Sequence, residues 1–423
     1  MVWLLTSALV VVAVLSASGL AWHAGLSAPA VPGLHFLGRT PTAGTLDQGL
    51  STDFAPAIGV LTNVTVGGSP NWATYDGGNG YVYVADDFWN NVSVISGTHV
   101  VASLNVGDDP VYVGYDPGNE YVYVPNEDSN NVSVINGTGL VASVNVSSGP
   151  SWATYNPRNG YVYVPDEDSD NTSVISGTSW ITNVPSGPGP EMAVYDSGNG
   201  YVYVPDMGSD NVTVISGTSV VGSVDVGAIP TFATYDPRNE YVYVLTPDNA
   251  DMSVINGTTV VGQVSLGAEP ESATYDSSDG YVYVTNLQTT NVSVINGISA
   301  VGSIVLYGAP YYAGYDPANQ YVYVVDDTDN LTMISGTSVV ESIPLGFGPT
   351  NVAYDASNGY VYIPDEGSGY VSVVGPFSYS LLGEFTGASW WVYALNALII
   401  AAVVLSTVVY VRRRRSRSRG PTL

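Results

Sequence analysis

The tetrad Tyr-Val-Tyr-Val begins at Tyr81 and recurs at Tyr121, Tyr161, Tyr201, Tyr241, Tyr281 and Tyr321, with an eighth copy, Tyr-Val-Tyr-Ile, at Tyr360. The step is 40 residues six times and then 39. A period of this length restricts the chain to architectures built by repeating one supersecondary unit. The first unit reads as four short β runs, at 72–76, 81–84, 91–95 and 100–106, separated by Gly-Gly-Asn-Gly, an acidic loop and Ser-Gly-Thr, and closed by a Gly-x-x-Pro loop. Four strands in about 40 residues is the blade of a β-propeller.

The ends of the array separate a closed ring from an open solenoid. The eighth unit carries three strand patterns, and the segment after them, FSYSLLGEF from Phe377, fits the fourth poorly. The missing fourth pattern stands ahead of the first unit, where VLTNVTVG at 60–67 matches the segment at 100–107. An N-terminal strand that completes the last blade closes the ring and removes its free edges, whereas a solenoid needs atypical caps. The expectation is an all-β fold: a closed propeller over 59–376, of eight four-stranded blades. A seven-bladed ring with the last unit displaced is the alternative. Within the tetrad, alternate residues face opposite sides of the blade, so both the tyrosines and the valines are expected to pack against neighbouring blades.

These repeats resemble the YVTN-type β-propeller repeats of prokaryotic, notably archaeal, cell-surface proteins. The resemblance spans all eight units through P-x-x-A-T-Y-D-x-x-N-G-Y-V-Y-V, N-x-V-S-V-I and V-V-x-S-V-x-V-G. It implies the propeller fold and a surface-layer-like or envelope role; some relatives of that kind are linked to lactonase-like activity. The chain departs from the pattern where the Thr-Asn after the second strand gives way to residues such as Asp86 and Pro165, which adds acid to that loop.

Flanking segments place the ring. Residues 1–22 read as a secretory signal, with an uncleaved N-terminal anchor as the alternative because no Lys or Arg precedes the apolar run. Residues 23–58 form a Pro/Gly-rich linker, 377–389 a juxtamembrane segment, and 390–411 an uncharged run. At 1.5 Å per residue that run is about 33 Å long, enough for a single transmembrane helix. The tail at 412–423 holds six of the nine basic residues. The positive-inside rule puts it in the cytoplasm and the propeller outside the cell. Outside the tail only Arg39, Arg158 and Arg238 oppose 37 acidic residues, a balance that repels nucleic acid. A chain so poor in positive charge suits high salt or, better, low pH. Cysteine is absent, which excludes disulfides, thiolate metal sites and cysteine nucleophiles.

The units differ in the loops after strands two and four, which a meandering blade puts on one face of the ring, while the other two turns hardly vary. Three sets of residues are candidates for function. Asp/Asn-rich loops after strand two suit calcium, best at Asp166, Asp168 and Asp170, then Asp326, Asp327 and Asp329; the competing reading is ordinary turn chemistry. Trp72, Tyr112, Trp152, Phe232 and Tyr312, each two residues after a loop-four proline, are either stacking platforms at the channel mouth or inter-blade packing. Asn63, Asn91, Asn131, Asn136, Asn145, Asn171, Asn211, Asn256, Asn291 and Asn330 stand in N-x-[ST] sequons and are candidate glycosylation sites. No nucleophile–base pair is evident: the ring's histidine is His99, beside an outer strand, and its arginines lie in the uniform turns. The expected function is a membrane-anchored binding, adhesion or surface-layer-like module with envelope glycan or protein partners. The alternative is an extracellular enzyme, lactonase-like or metal-dependent, with its site on the variable-loop face.

Overall fold

The computed structural model describes residues 57–377. The signal, the membrane-spanning run and the basic tail expected from the sequence lie outside them. Among the described residues no helix is long and apolar enough to cross a membrane. What is described is eight four-stranded antiparallel sheets, each a blade, with strand order following the sequence in seven of them and the first strand of the chain on the outer edge of the eighth. Blade 1 is made of Pro70–Asp76, Tyr81–Asp86, Asn91–Ser96 and His99–Asn105, and each later blade repeats it.

Closure happens as the end-matching argument requires. The strand Ala57–Thr65 pairs antiparallel with Tyr370–Phe377 of the last unit, in a register running from Ala57 opposite Phe377 to Thr65 opposite Tyr370. That strand starts two residues before the boundary expected from the pattern. Blade 8 meets blade 1 directly: the Asn351 side chain accepts from the Ala73 amide at 2.9 Å and donates to the Ala73 carbonyl at 2.9 Å. The ring is therefore closed and eight-bladed.

The tetrad's two faces have different jobs. The valines at its second and fourth places, such as Val82 and Val84, are completely buried and join clusters that span adjacent blades. The tyrosine at the third place is equally buried, from Tyr83 through Tyr362. A phenol buried in an apolar seam needs a hydrogen-bond partner, and the repeat supplies two. Asn79 donates its Nδ2 to the Tyr83 hydroxyl at 2.9 Å, and that hydroxyl donates to the Gly137 carbonyl of the next blade at 2.9 Å. The same bond joins Tyr123 to Gly177, Tyr163 to Gly217, Tyr203 to Gly257 and Tyr283 to Gly336, and Tyr362 reaches Gly97 across the ring closure.

The glycine that receives the bond sits in the turn between strands three and four with a positive φ, 59° at Gly137. Only glycine takes that conformation without strain, so the Ser/Asn-Gly-Thr turn and the buried tyrosine are two halves of one contact. Burial pushes the Tyr83, Tyr203 and Tyr243 phenols up to about 12, so the hydroxyls keep their protons.

Removing one such hydroxyl should measure the contact. Tyr203→Phe leaves the Gly257 carbonyl and the Asn199 amide without their partner while keeping the ring's volume. We expect a loss of about 1–3 kcal/mol in urea unfolding, with an unchanged far-ultraviolet spectrum.

Candidate functional site

The two faces of the ring differ in how much of their chemistry is already committed. The turns between strands one and two, and between three and four, occupy one face. There Asp76 Oδ1 accepts from the Gly78 amide at 2.8 Å and Asn79 Oδ1 from the Tyr81 amide at 2.8 Å, a pattern that recurs from blade to blade. Both arginines of the ring serve as braces here. Arg158 donates to the carbonyls of Ser197, Gly198 and Asn199 in the next blade, and Arg238 to those of Ser277 and Asp279. This face is uniform because it holds the blades in register.

The opposite face carries the variable loops, and its centre is the channel mouth. Of the eight residues two places after the loop-four proline, three couple blades through hydrogen bonds. Asn351 bonds Ala73 as described, Ser272 Oγ accepts from the Ala313 amide at 3.0 Å, and Met192 Sδ from the Ala233 amide at 3.0 Å. The other five are Trp72, Tyr112, Trp152, Phe232 and Tyr312, and they meet one another. Tyr112 and Trp152 stack with ring centroids 3.8 Å apart; Trp72 lies 4.9 Å from Tyr112, 5.1 Å from Trp152 and 5.4 Å from Tyr312; Trp152 meets Phe232 edge-on at 6.4 Å. Each also rests on an inter-blade cluster. The two readings of these residues therefore combine: their edges pack between blades, and their rings form an aromatic floor in the channel.

Above that floor on the variable face lies a cavity of about 320 Å³ lined by Trp72, Trp152, Phe232, Tyr312, Glu191 and Glu271 among others. An adjoining cavity of about 250 Å³ shares Trp72, Trp152, Phe232 and Glu191 and adds Glu127 and Glu167. Glu191 is half-buried. Its carboxyl is pushed up to about 7, chiefly by burial and then by the negative charges of Glu167 and Glu271. Its Oε2 is shielded from solvent and has no hydrogen-bond partner. The four glutamates were not singled out from the sequence. A signal was there: the place directly after the loop-four proline reads Asn71, Val111, Ser151, Glu191, Thr231, Glu271, Tyr311 and Thr350, and in a propeller that place opens the innermost strand.

The calcium candidates are not brought together. Asp166 is wholly buried, whereas Asp168 and Asp170 are exposed; Asp168 accepts from Ser148 Oγ at 3.3 Å and Asp170 from the Gly189 amide at 3.2 Å. Asp326 is likewise buried and closes a turn by accepting from Thr328 and Asn330 amides, Asp327 accepts from the Ala309 amide, and Asp329 from the Gly348 amide. Among the described residues no three His, Asp or Glu side chains converge on a metal-sized space. The strands end at Asp166 and Asp326, which face inward, and the turns that follow, a 3-10 turn at Glu167–Ser169 with Asp170 in the left-handed region in the first case, carry the later carboxylates outward.

Asp166 belongs to a different set, the residues ending the second strand of each blade: Asp86, Asn126, Asp166, Asp206, Thr246, Asn286, Asp326 and Asp365, all buried. Where the residue is Asn, its amide nitrogen donates. Asn126 Nδ2 reaches Val124 O at 3.1 Å, Asn131 O at 3.2 Å and Ser133 Oγ at 3.1 Å, and Asn286 makes the same three contacts in its own blade. Thr246 donates to the matching carbonyl, Asp251 O, at 3.1 Å. At three of the five Asp positions the oxygen in that place meets the same strand-three hydroxyl, whereas Asp86 accepts from the Ser69 and Trp89 amides and Asp326 from those of Thr328 and Asn330. Ser173 Oγ lies 2.7 Å from Asp166 Oδ2, Thr213 Oγ1 2.7 Å from Asp206 Oδ2, and Ser372 Oγ 2.6 Å from Asp365 Oδ2. A site whose other occupants are donors suits a protonated carboxyl. Burial pushes Asp166 up to about 7 and Asp206 and Asp365 to about 6, against strand-three hydroxyl bonds that pull the other way.

The sequons divide by exposure. Asn63, Asn136, Asn145 and Asn256 are exposed. Asn91 is buried, and Asn131, Asn171, Asn211, Asn291 and Asn330 are half-buried at the start of strand three. In Asn131, Asn171, Asn291 and Asn330 the amide nitrogen is already hydrogen-bonded, for example Asn171 to Ser169 O at 2.8 Å.

No family model matches the chain, and no curated protein matches it in sequence. Solved structures do share its fold. The C-terminal WD40 domain of Sif2 is similar with a TM-score of 0.65 at 9% identity, over 77% of this chain and 100% of that one. Hydrazine synthase of Kuenenia stuttgartiensis gives 0.53 at 16%, over 74% and 97%. Virginiamycin B lyase from Staphylococcus aureus, in a structure with quinupristin, gives 0.53 at 11%, over 76% and 100%. At such identities the likeness shows the propeller fold alone.

The protonated-acid reading has a signed consequence. A carboxyl whose folded pKa is raised above its ordinary 3.8 adds stability below about pH 4 and loses it as pH rises toward 7. Asp166→Asn supplies the donor permanently. It should raise stability by on the order of 1–3 kcal/mol at pH 8 and change little at pH 4, as read by thermal unfolding across that range.

Proposed function

We propose that this chain is a membrane-anchored extracellular β-propeller of the cell envelope that works as a binding module, taking its ligand at the channel mouth on the variable-loop face. The observation that carries the binding site is the contrast between the faces. The side chains of the uniform face are engaged in hydrogen bonds within their turns and to neighbouring blades, while the variable face holds an open cavity over an aromatic floor. Binding residues commonly sit on loops held by a rigid scaffold, and large apolar walls with a few polar groups are the usual make-up of a ligand pocket.

Three further features support display outside the cell. The sequence has a signal-like start and a 22-residue uncharged run followed by arginines. Exposed sequons at Asn63, Asn136, Asn145 and Asn256 leave room for glycans. Buried carboxyls that favour the protonated form suit an acidic exterior. Around the mouth, Phe88, Trp89, Tyr307 and Phe347 stand exposed on the variable loops, which extends the apolar surface that a glycan or protein partner of the envelope would meet. A second reading, catalysis at the same mouth, is favoured by Glu191, whose carboxyl near neutrality is suited to general acid–base work.

Two measurements test the proposal. Protease added to intact cells should shave the propeller, and a chain that stays protected until lysis would overturn the extracellular placement. The purified chain should bind isolated cell envelopes. Phe88→Ser combined with Phe347→Ser should weaken that binding about tenfold or more at unchanged thermal stability, while Thr178→Glu on the uniform face should leave it intact.

A further inference from the structure

The channel mouth combines three features that together select one kind of ligand. Its floor is aromatic: the rings of Trp72, Trp152 and Phe232 are shared by both adjoining cavities. Its wall is acidic, with Glu191 common to the two cavities, Glu271 in one, and Glu127 and Glu167 in the other. It also lacks any counter-charge from the protein. The only arginines among the described residues, Arg158 and Arg238, are tied to backbone carbonyls on the opposite face, lysine is absent from the sequence, and His99 lies at the start of an outer strand.

Such a cup repels anions. A neutral ligand could donate a hydrogen bond to Glu191 Oε2, which has no partner in the protein, but would leave the negative charge of the wall uncompensated. A small hydrated metal ion would require several carboxylates converging on one point, and among the described residues none do. An organic cation fits each requirement. It presents diffuse positive charge with an apolar coat to the ring faces, where the quadrupole attracts it most strongly on tryptophan, and it supplies the missing charge to the carboxylates.

We propose that the channel mouth binds an organic ammonium or guanidinium group, seated on Trp72, Trp152 and Phe232 with its charge facing Glu191 and Glu271. This rests on the reading of the mouth as the binding site. The group arrives either on a free small molecule or on a lysine or arginine side chain of a peptide partner; the chemistry recognised is the same.

The test is calorimetric titration of the purified full-length chain at pH 8 with choline, and with 3,3-dimethyl-1-butanol, in which carbon replaces the charged nitrogen. Choline should bind saturably and at least tenfold more tightly than its neutral analogue. Glu191→Gln and Glu271→Gln should each weaken choline about tenfold, and Trp72→Leu, which keeps an apolar floor, should weaken choline more than the neutral analogue. Lowering the pH from 8 to 5 should weaken choline as Glu191 takes up its proton, and the Glu191→Gln variant should have lost most of that pH dependence. A lysine-containing peptide that binds while its acetylated form does not identifies a side chain as a source; choline binding alone identifies the free molecule.

Equal binding of choline and its neutral analogue, unaffected by the glutamine variants, would overturn the cationic ligand and leave the mouth as a binding site. So would calcium titrated alone if it bound through the same two glutamates at micromolar concentration. No saturable binding of any probe would overturn the cationic ligand as well. The envelope-binding experiment with the Phe88 and Phe347 variants then decides separately whether the variable face binds anything.

Discussion

The contact on which the rest depends is the hydrogen bond from a buried tyrosine hydroxyl to a glycine carbonyl in the next blade. Apolar packing between blades is non-directional and would tolerate sliding of one blade against another. The phenol removes that freedom, because leaving it unpaired in a dry seam costs more than any small gain in packing. One residue sets the angular step of the ring and calls for its partners: the Asn that holds the hydroxyl and the positive-φ Gly that presents the carbonyl. Six of the eight blades make the bond to glycine, with Asp279 in the place of the Asn beside Tyr283, and the bond from Tyr362 to Gly97 shows it satisfied even where the chain's two ends meet.

Fixing one face in this way separates structure from recognition. Six of the turns between strands three and four accept a bond from a neighbouring blade's tyrosine, and the two arginines serve on the same face as braces. Sequence variation is thereby confined to the loops of the other face and to the innermost strand's first residues. Those first residues do two jobs within one ring of positions. Asn351, Ser272 and Met192 couple blades, and the five aromatic members fill the axis. A floor built this way is rigid, since each aromatic side chain is wedged both by its neighbours across the axis and by a blade seam beneath it. Rigidity matters for a binding surface because ordering it on ligand capture then costs little.

The carboxylates fall into two populations with opposite physics. At Asp166, Asp206 and Asp365, which end second strands, burial favours the protonated form against the hydrogen bonds that the carboxylate accepts from strand three. The charge of the glutamates at the mouth is open to a ligand. Both populations depend on the scarcity of positive charge in the chain, which leaves carboxylates unneutralised on the surface and unpaired inside. Burial at Asp166, Asp206 and Asp365 therefore contributes stability in acid, and the charge of the mouth grows as Glu191 loses its proton near neutrality.

Much was legible in the sequence. The 40-residue period and the strand pattern at 60–67 gave the blade and the manner of closure, because a repeat length and a missing strand are properties of the chain that any fold must respect, while a choice between eight blades and seven waited for the ring itself. The division into a uniform and a variable face followed from the meander in the same way. The acidic loops were legible only as composition. A run such as Pro-Asp-Glu-Asp-Ser-Asp reads as clustered oxygen ligands or as turn chemistry, and the end of the strand at Asp166 leaves that carboxylate in the interior while the 3-10 turn after it carries Asp168 and Asp170 out. Only the tertiary structure could bring Trp72, Trp152, Phe232, Glu191 and Glu271 to one cavity, since they are spread over 200 residues and meet solely because the ring points eight inner strands at a common axis. Sequence determines what each blade is, while closure of the ring decides which residues of different blades share a site.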